Sequence, residues 1–189
     1  FEKNVFKITE QIRKAKNDNV DLIVFSELCV CGYPPLDFLE FNDFISRCEK
    51  AIEQIASECC GIAAIVGAPS VNPDSEGKNL FNSAFFLCDG KLKNLIGKSL
   101  LPNYDVFEEY RYFEPKRSFE CIELKGVKIA LPICEDLWNI GDDPLYTLFP
   151  MDELVKEQPQ LMINIAASPF SYSHSEERKN ILKKNVMKY

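Results

Sequence analysis

Asp21-Leu22-Ile23-Val24-Phe25-Ser26 is an unbroken apolar run that follows a polar break at Asn17-Asp18-Asn19, and it decides the fold. A continuous apolar stretch of this length suits a strand buried on both faces, as in layered α/β domains. Upstream, Val5, Ile8, Ile12 and Ala15 recur at helical spacing, so a helix leads into the strand and ends near Asn17 to Asn19. Downstream, Gly32-Tyr33-Pro34-Pro35 reads as an irregular loop. A second helix begins around Asn42 or Asp43, with Phe44, Ile45, Cys48, Ile52, Ile55 and Cys59 on its buried side. Ile62-Ala-Ala-Ile-Val-Gly67 is another buried strand, closed by Pro69.

The middle of the chain changes character. Leu80 to Cys88, Asp89-Gly90 and Lys91 to Ile96 spell a hairpin, with Asp-Gly suited to the tight turn. A second hairpin runs from Phe119 to Leu124, turns at Lys125-Gly126 and returns as Val127 to Ile133. Between them, residues 98–118 form a long polar and aromatic stretch, and connections of that length usually carry function. After Cys134 an irregular stretch passes through Gly141 and Pro144, followed by a helix around Asp152 to Lys156. Leu161 to Ile165 reads as a further strand, broken at Ser168-Pro169, and the chain turns helical from about Ser175. Helix–strand alternation with inserted hairpins predicts an α/β fold with mixed rather than purely parallel sheets. There is no internal repeat, low-complexity segment or domain linker.

Composition narrows the partners. The chain has 189 residues, enough for one domain with a substantial core. A net charge of −7 argues against nucleic acid, because phosphate binding needs a basic face. No apolar run approaches the ~20 residues of a membrane span, so no membrane partner is expected. The opening Phe-Glu-Lys-Asn is neither an initiator methionine nor a signal peptide, so the numbering is expected to start inside a longer gene product. Eight cysteines with spacings of zero and one between neighbours, and a single histidine, do not match zinc ligation; no metal is expected. Most of these thiols fall on apolar faces, where they act as small hydrophobes, and a reducing cytoplasm fits them.

Three residues in distinctive runs supply chemistry. Glu27 closes Val24-Phe-Ser-Glu, Lys98 opens Lys-Ser-Leu-Leu-Pro-Asn-Tyr, and Cys134 sits in Leu131-Pro-Ile-Cys-Glu-Asp-Leu-Trp138. An acid, a fixed positive charge and a thiol suffice for covalent acyl transfer without a catalytic histidine. Glu27, Cys134 and Ser168 each lie just past a predicted strand, at the sheet edge where α/β proteins place ligands. Each also has a plainer reading: Glu27 as a strand-end carboxylate, Lys98 as a surface lysine, Cys134 as a packed core thiol. The run Glu108, Glu109, Arg111 reads equally as solvated surface, Trp138 as core or substrate wall, and His174 as a surface residue in the polar run Ser171 to Ser175. The eight glycines are scattered, and no phosphate-binding glycine loop occurs.

Taken together these segments resemble the carbon–nitrogen hydrolase (nitrilase) superfamily, and within it the glutaminase domains of glutamine-dependent NAD+ synthetases. The carrying blocks are Phe25-Ser-Glu-Leu with Gly32-Tyr33-Pro34-Pro35, the stretch Lys98 to Phe113, Ile133-Cys-Glu-Asp-Leu-Trp138, and Asn164 through Ser168-Pro169. The resemblance implies an α-β-β-α sandwich assembled into a homo-oligomer. It implies that Cys134 attacks the side-chain amide of L-glutamine, Glu27 acts as base and Lys98 stabilises the tetrahedral intermediate. Tyr104, Glu135, Trp138 and Ser168 would bind glutamine, and Glu109 would orient the lysine and substrate. Ammonia would pass to a synthetase domain that uses ATP and magnesium to amidate deamido-NAD+; no cofactor is implied for the glutaminase domain itself.

Two departures stand out. Six residues past Ser168 the family usually carries lysine or arginine, and here that substrate position falls on His174, with Arg178 a further source of charge. The whole chain, 1–189, reads as a glutaminase domain incomplete at both ends, with the first strand and the synthetase domain outside it. Competing readings are a stand-alone nitrilase-type amidase acting on another amide or nitrile, and a catalytically silent assembly domain.

Overall fold

The computed structural model describes residues 1–141, 144–172 and 174–189. Positions 142, 143 and 173 lie outside the described residues, and with them part of the irregular stretch between Gly141 and Pro144 and of the polar run Ser171 to Ser175.

Helices α1 (Glu2–Asn17) and α2 (Asn42–Glu58) form where the apolar spacing places them. One sheet holds β1 (Leu22–Val24), β2 (Ala63–Val71), β3 (Leu80–Cys88) and β4 (Lys91–Gly97) in that spatial order. A short helix α3 (Glu109–Tyr112) interrupts the long connection that follows. The second sheet holds β5 (Ile122–Leu124), β6 (Val127–Ala130) and β7 (Leu161–Met162), and the chain closes with α4 (Pro150–Leu154) and α5 (His174–Lys188).

Strand alternation explains the layering. On β2, Ala64, Val66 and Ala68 join the apolar faces of α1 and α2, whereas Ala63 and Ile65 turn toward the second sheet. β3 repeats the pattern, with Phe85 and Leu87 on the helix side and Phe86 facing Ile122 and Ile129 across the inter-sheet core. On β6, Ile129 points inward while Ala130 packs with Leu137, Met151 and Leu154 on the far side. Helix, sheet, sheet and helix thus stack in four layers, the expected α/β sandwich with mixed sheets. Each large aliphatic side chain buried this way contributes about 1.5–3 kcal/mol.

Both hairpin turns form where the sequence places them. Asp89 and Gly90 have φ of 54° and 75°, and Lys125 and Gly126 have φ of 51° and 80°, the backbone of a two-residue turn with both residues left-handed.

Strand lengths differ from expectation. Residues 21–26 yield a strand of only three residues, at the sheet edge and with Val24 exposed, rather than one buried on both faces. β2 does not stop at Pro69 but runs through it to Val71. β1 pairs with β2 only at Ala63–Ile65, so Pro69 has no strand on that side to miss its N–H. The second hairpin is trimmed to Ile122–Leu124 and Val127–Ala130, and the last strand to two residues, with an isolated parallel bridge joining Ile133 to Ile165 beyond it.

Topology gathers the site. β1 is parallel to β2, β2 antiparallel to β3, and β3 antiparallel to β4, so β1, β2 and β4 all point the same way. Glu27 and Lys98 follow the C-terminal ends of β1 and β4, so both lie at the same end of the sheet.

Candidate active site

Lys98 has no solvent-accessible surface. Its Nζ lies 2.8 Å from Glu27 Oε1, and 2.7 and 2.9 Å from the two oxygens of Glu109. The backbone is pinned as well: the Lys98 N–H donates to the Asn82 carbonyl at 2.8 Å, and its own carbonyl accepts from Lys116 at 2.9 Å. An enclosed ammonium survives only when paired and hydrogen-bonded, and two carboxylates meet that condition. Burial alone would lower its proton affinity, but the charges of Glu109 and Glu27 outweigh it and hold Lys98 well above the usual lysine range. Burial acts on Glu109 too, raising its carboxyl against the pull of the ammonium. Tyr33 donates its hydroxyl to Glu109 Oε1 at 2.9 Å.

Glu27 is enclosed, at 2% exposure, so it is no solvated strand-end carboxylate. Its second oxygen accepts the Ala167 N–H at 2.8 Å, tying it to the segment that carries Ser168. The chain leaves Glu27 through a left-handed turn at Leu28, φ 48°. Gly67 makes room for this turn. A Cβ there would sit 2.4 Å from Leu28 N and 2.6 Å from Ser26 O, so the strand accepts no side chain at that point.

Cys134 opens a turn of 3-10 helix, Cys134–Leu137, with φ of 42°, a strained value for a non-glycine residue. Its N–H donates to Ile165 O at 2.8 Å, and its Sγ lies 3.9 Å from Ser168 Oγ. Burial and then the Glu27 charge push the thiol up to about 12, with Lys98 pulling the other way. A thiol held that high is protonated at ordinary pH.

Asp136 joins these parts. Oδ1 accepts the N–H groups of Ser99 and Leu100 at 3.0 and 2.8 Å, and Oδ2 accepts that of Ile133 at 3.0 Å. One carboxylate thus fastens the turn after the lysine to the residue before the cysteine. Burial lifts it to about 7 although three backbone donors favour its charged form.

Glu135 points to a second cluster. Its carboxylate accepts the hydroxyls of Tyr104 at 3.0 Å and Tyr146 at 3.1 Å, while burial raises its proton affinity. Asn139 holds Tyr146 in place, donating to the Tyr146 and Leu148 carbonyls at 2.9 and 2.7 Å and accepting the Tyr146 N–H at 3.1 Å. Beside it Trp138 stacks on His174, centroids 5.3 Å apart, and His174 Nδ1 stands 3.6 Å from Glu177. His174 is partly covered by this stack rather than a freely solvated surface residue.

The structure brings Glu27, Lys98, Glu109, Cys134 and Ser168 together, with Tyr104 and Glu135 beside them. In the run 108–111 only Glu109 turns inward; Glu108 and Arg111 form an exposed pair, so the solvated reading holds for them alone. Sequence reasoning missed Asn82, Asp136, Gly67 and Tyr146, and assigned no role to Tyr33. Asn82 did leave a trace, as a polar residue inside the otherwise apolar run Leu80-Phe-Asn-Ser-Ala-Phe-Phe-Leu. Among the described residues no group of three or more His, Cys, Asp or Glu is arranged to hold a metal, and no helix is long and apolar enough to cross a membrane. All eight cysteines are free thiols.

An enclosed Lys–Glu–Glu cluster beside a buried cysteine, set at the edge of a four-layer α-β-β-α sandwich, agrees with the sequence match: the chain belongs to the carbon-nitrogen hydrolase family, matched over residues 1–141. It is 35% identical over 195 residues to the glutamine-dependent NAD(+) synthetase of Synechocystis sp., covering 94% of this chain and 35% of that protein. The enzyme of the same name from Xylella fastidiosa (strain Temecula1) is 36% identical over 182 residues, covering 95% of this chain and 31% of its own length. The solved glutamine-dependent NAD+ synthetase of Acinetobacter baumannii, in complex with ADP, superposes with a TM-score of 0.84 at 31% identity, over 96% of this chain and 32% of that one. A nitrilase-superfamily amidase from Nesterenkonia AN1 shares the fold with a TM-score of 0.75 at 17% identity, over 97% of this chain and 65% of that one. The chain thus spans about a third of the length of the synthetases it matches.

Proposed function

We propose that this chain hydrolyses the side-chain amide of glutamine through a thioester on Cys134 and supplies the ammonia for amidation of deamido-NAD+. The convergence of Glu27, Lys98 and Cys134, in a chain whose relatives are glutamine-dependent synthetases, carries the reading. The Cys134 sulfur attacks the amide carbon as Glu27 takes its proton. Lys98 stabilises the oxyanion of the tetrahedral adduct. The adduct collapses, the C–N bond breaks, and the proton held by Glu27 leaves with the nitrogen as ammonia. Glu27 then draws a proton from water, hydroxide adds to the thioester, and glutamate departs as the thiol is restored.

Glu109 keeps Lys98 charged and in place. Tyr104 and Glu135 form a polar wall suited to the substrate's α-ammonium, Ser168 flanks the sulfur, and Trp138 and His174 are assigned to the remaining substrate contacts. ATP and magnesium serve the synthetase reaction, to which the ammonia passes, and no step here is routed through them. Homo-oligomeric assembly and a cytoplasmic setting complete the proposal.

Cys134→Ala in the full-length protein tests it. Glutamine-driven synthesis is expected to vanish while ammonia-driven synthesis persists, and a glutamine-mimicking electrophile is expected to label Cys134 before the other cysteines. Unchanged glutamine hydrolysis, or first labelling elsewhere, overturns the assignment.

A further inference from the structure

Asn82 lies on β3 with no solvent-accessible surface, and three parts of the site depend on it. Its carbonyl accepts the Lys98 N–H at 2.8 Å. Its side-chain Nδ2 donates to Glu27 Oε1 at 2.8 Å and to Glu109 Oε2 at 3.1 Å. Its Oδ1 is buried without a hydrogen-bond partner. Turning the amide over would set that oxygen against two carboxylates, so the two acids alone fix its orientation.

We propose that Asn82 is a positioning residue of the amide-cleaving site: its NH2 group, held between Glu27 and Glu109, keeps both carboxylates aimed at Lys98 and Glu27 ready to accept the thiol proton. This role rests on the function proposed above. One ammonium facing two buried carboxylates leaves a surplus of negative charge if both are ionised. A neutral group with two hydrogens relieves that surplus without a second cation, which would compete with Lys98 for the acids. Among uncharged side chains of this volume, only an amide supplies two donors from one atom. A buried acceptor left without a partner carries a cost, and the double donation offsets it.

The test uses Asn82→Asp, which keeps the volume but loses the donors, and Asn82→Ala, which removes the amide. Two profiles are measured against pH in the full-length protein: glutamine hydrolysis, and alkylation of Cys134 by iodoacetamide followed by mass spectrometry. A donor lost from a carboxylate favours its protonated form, so the acidic limb of kcat moves up by about one pH unit. The kcat itself falls about 10²-fold as the base loses its aim, while KM changes far less. The Cys134 alkylation profile shifts as well.

The alkylation arm needs no substrate. Wild-type protein that leaves glutamine intact refutes the glutaminase reading, whereas an alkylation profile unchanged in Asn82→Asp refutes the positioning role. Lower thermal stability with an unmoved acidic limb, the signature of a merely structural residue, also overturns it. If neither variant folds, Asn82→Ser carries the test: wild-type profiles in it sink the proposal, and shifted ones sustain it.

Discussion

Lys98 Nζ lies 2.8 Å from Glu27 Oε1, although 71 positions separate them in the chain. The contact joins the ends of two strands that never touch, β1 and β4, which lie at opposite edges of one sheet. The lysine side chain is fully enclosed, and the acid meets it just beyond the end of β1.

Replacing the ammonium by an isosteric apolar group, Lys98→Met, leaves two buried carboxylates facing each other. Stability is expected to fall by about 3–5 kcal/mol at neutral pH, measured by denaturant unfolding. The folded state raises the lysine's proton affinity, so its contribution is fully present below the unfolded-state value of about 10.4 and lost only as pH rises through the higher folded value. The variant's deficit shrinks toward acid pH, where Glu109, already raised by burial, takes up a proton.

Glu27→Gln separates thiol acidity from catalysis. The Glu27 charge helps hold the Cys134 thiol up at about 12, so its removal makes thiolate more accessible. Iodoacetamide is expected to alkylate Cys134 faster in the variant at mildly alkaline pH. Turnover is expected to fall by about 10²–10⁴-fold, because in the proposed mechanism no base then remains for the thiol or the water. Slower alkylation together with lost turnover would contradict this division of labour.

Gly67→Ala places a methyl against Leu28 N and Ser26 O, atoms of backbone that cannot swing aside. The expected loss is about 1–3 kcal/mol in thermal or denaturant unfolding. Activity should drop beyond what stability explains, because the displaced segment carries Glu27.

Tyr146→Phe removes one of the two hydroxyls on Glu135 while the backbone of residue 146 stays held by Asn139. KM for glutamine is expected to rise roughly tenfold with kcat nearly constant, the mark of lost ground-state binding. Equal losses in kcat and kcat/KM would place Tyr146 in the chemistry instead.

Local signals were readable before any coordinates. The apolar faces of α1 and α2, and the Asp89-Gly90 and Lys125-Gly126 turns, depend on neighbours within a few residues. Glu27, Lys98 and Cys134 were legible for a different reason: each sits in a distinctive run at the end of a strand. What escaped was fixed by distant partners. Whether Pro69 ends a strand depends on how far β1 reaches, and no window around the proline holds that information. Glu109 and Glu108 look alike in sequence, and only the single turn of α3 decides which one faces the lysine. Asn82 joins the cluster because residues 27 and 109 close over it, and Tyr146 reaches Glu135 because the Asn139 amide holds its backbone.

The enclosure of Lys98 also has a practical side. Amine-reactive esters used to couple proteins to resins or dyes acylate exposed lysines such as Lys125 and Lys156, but cannot reach an ammonium with no accessible surface. Attachment through lysine therefore spares the cluster, and an immobilised preparation keeps its internal charge balance.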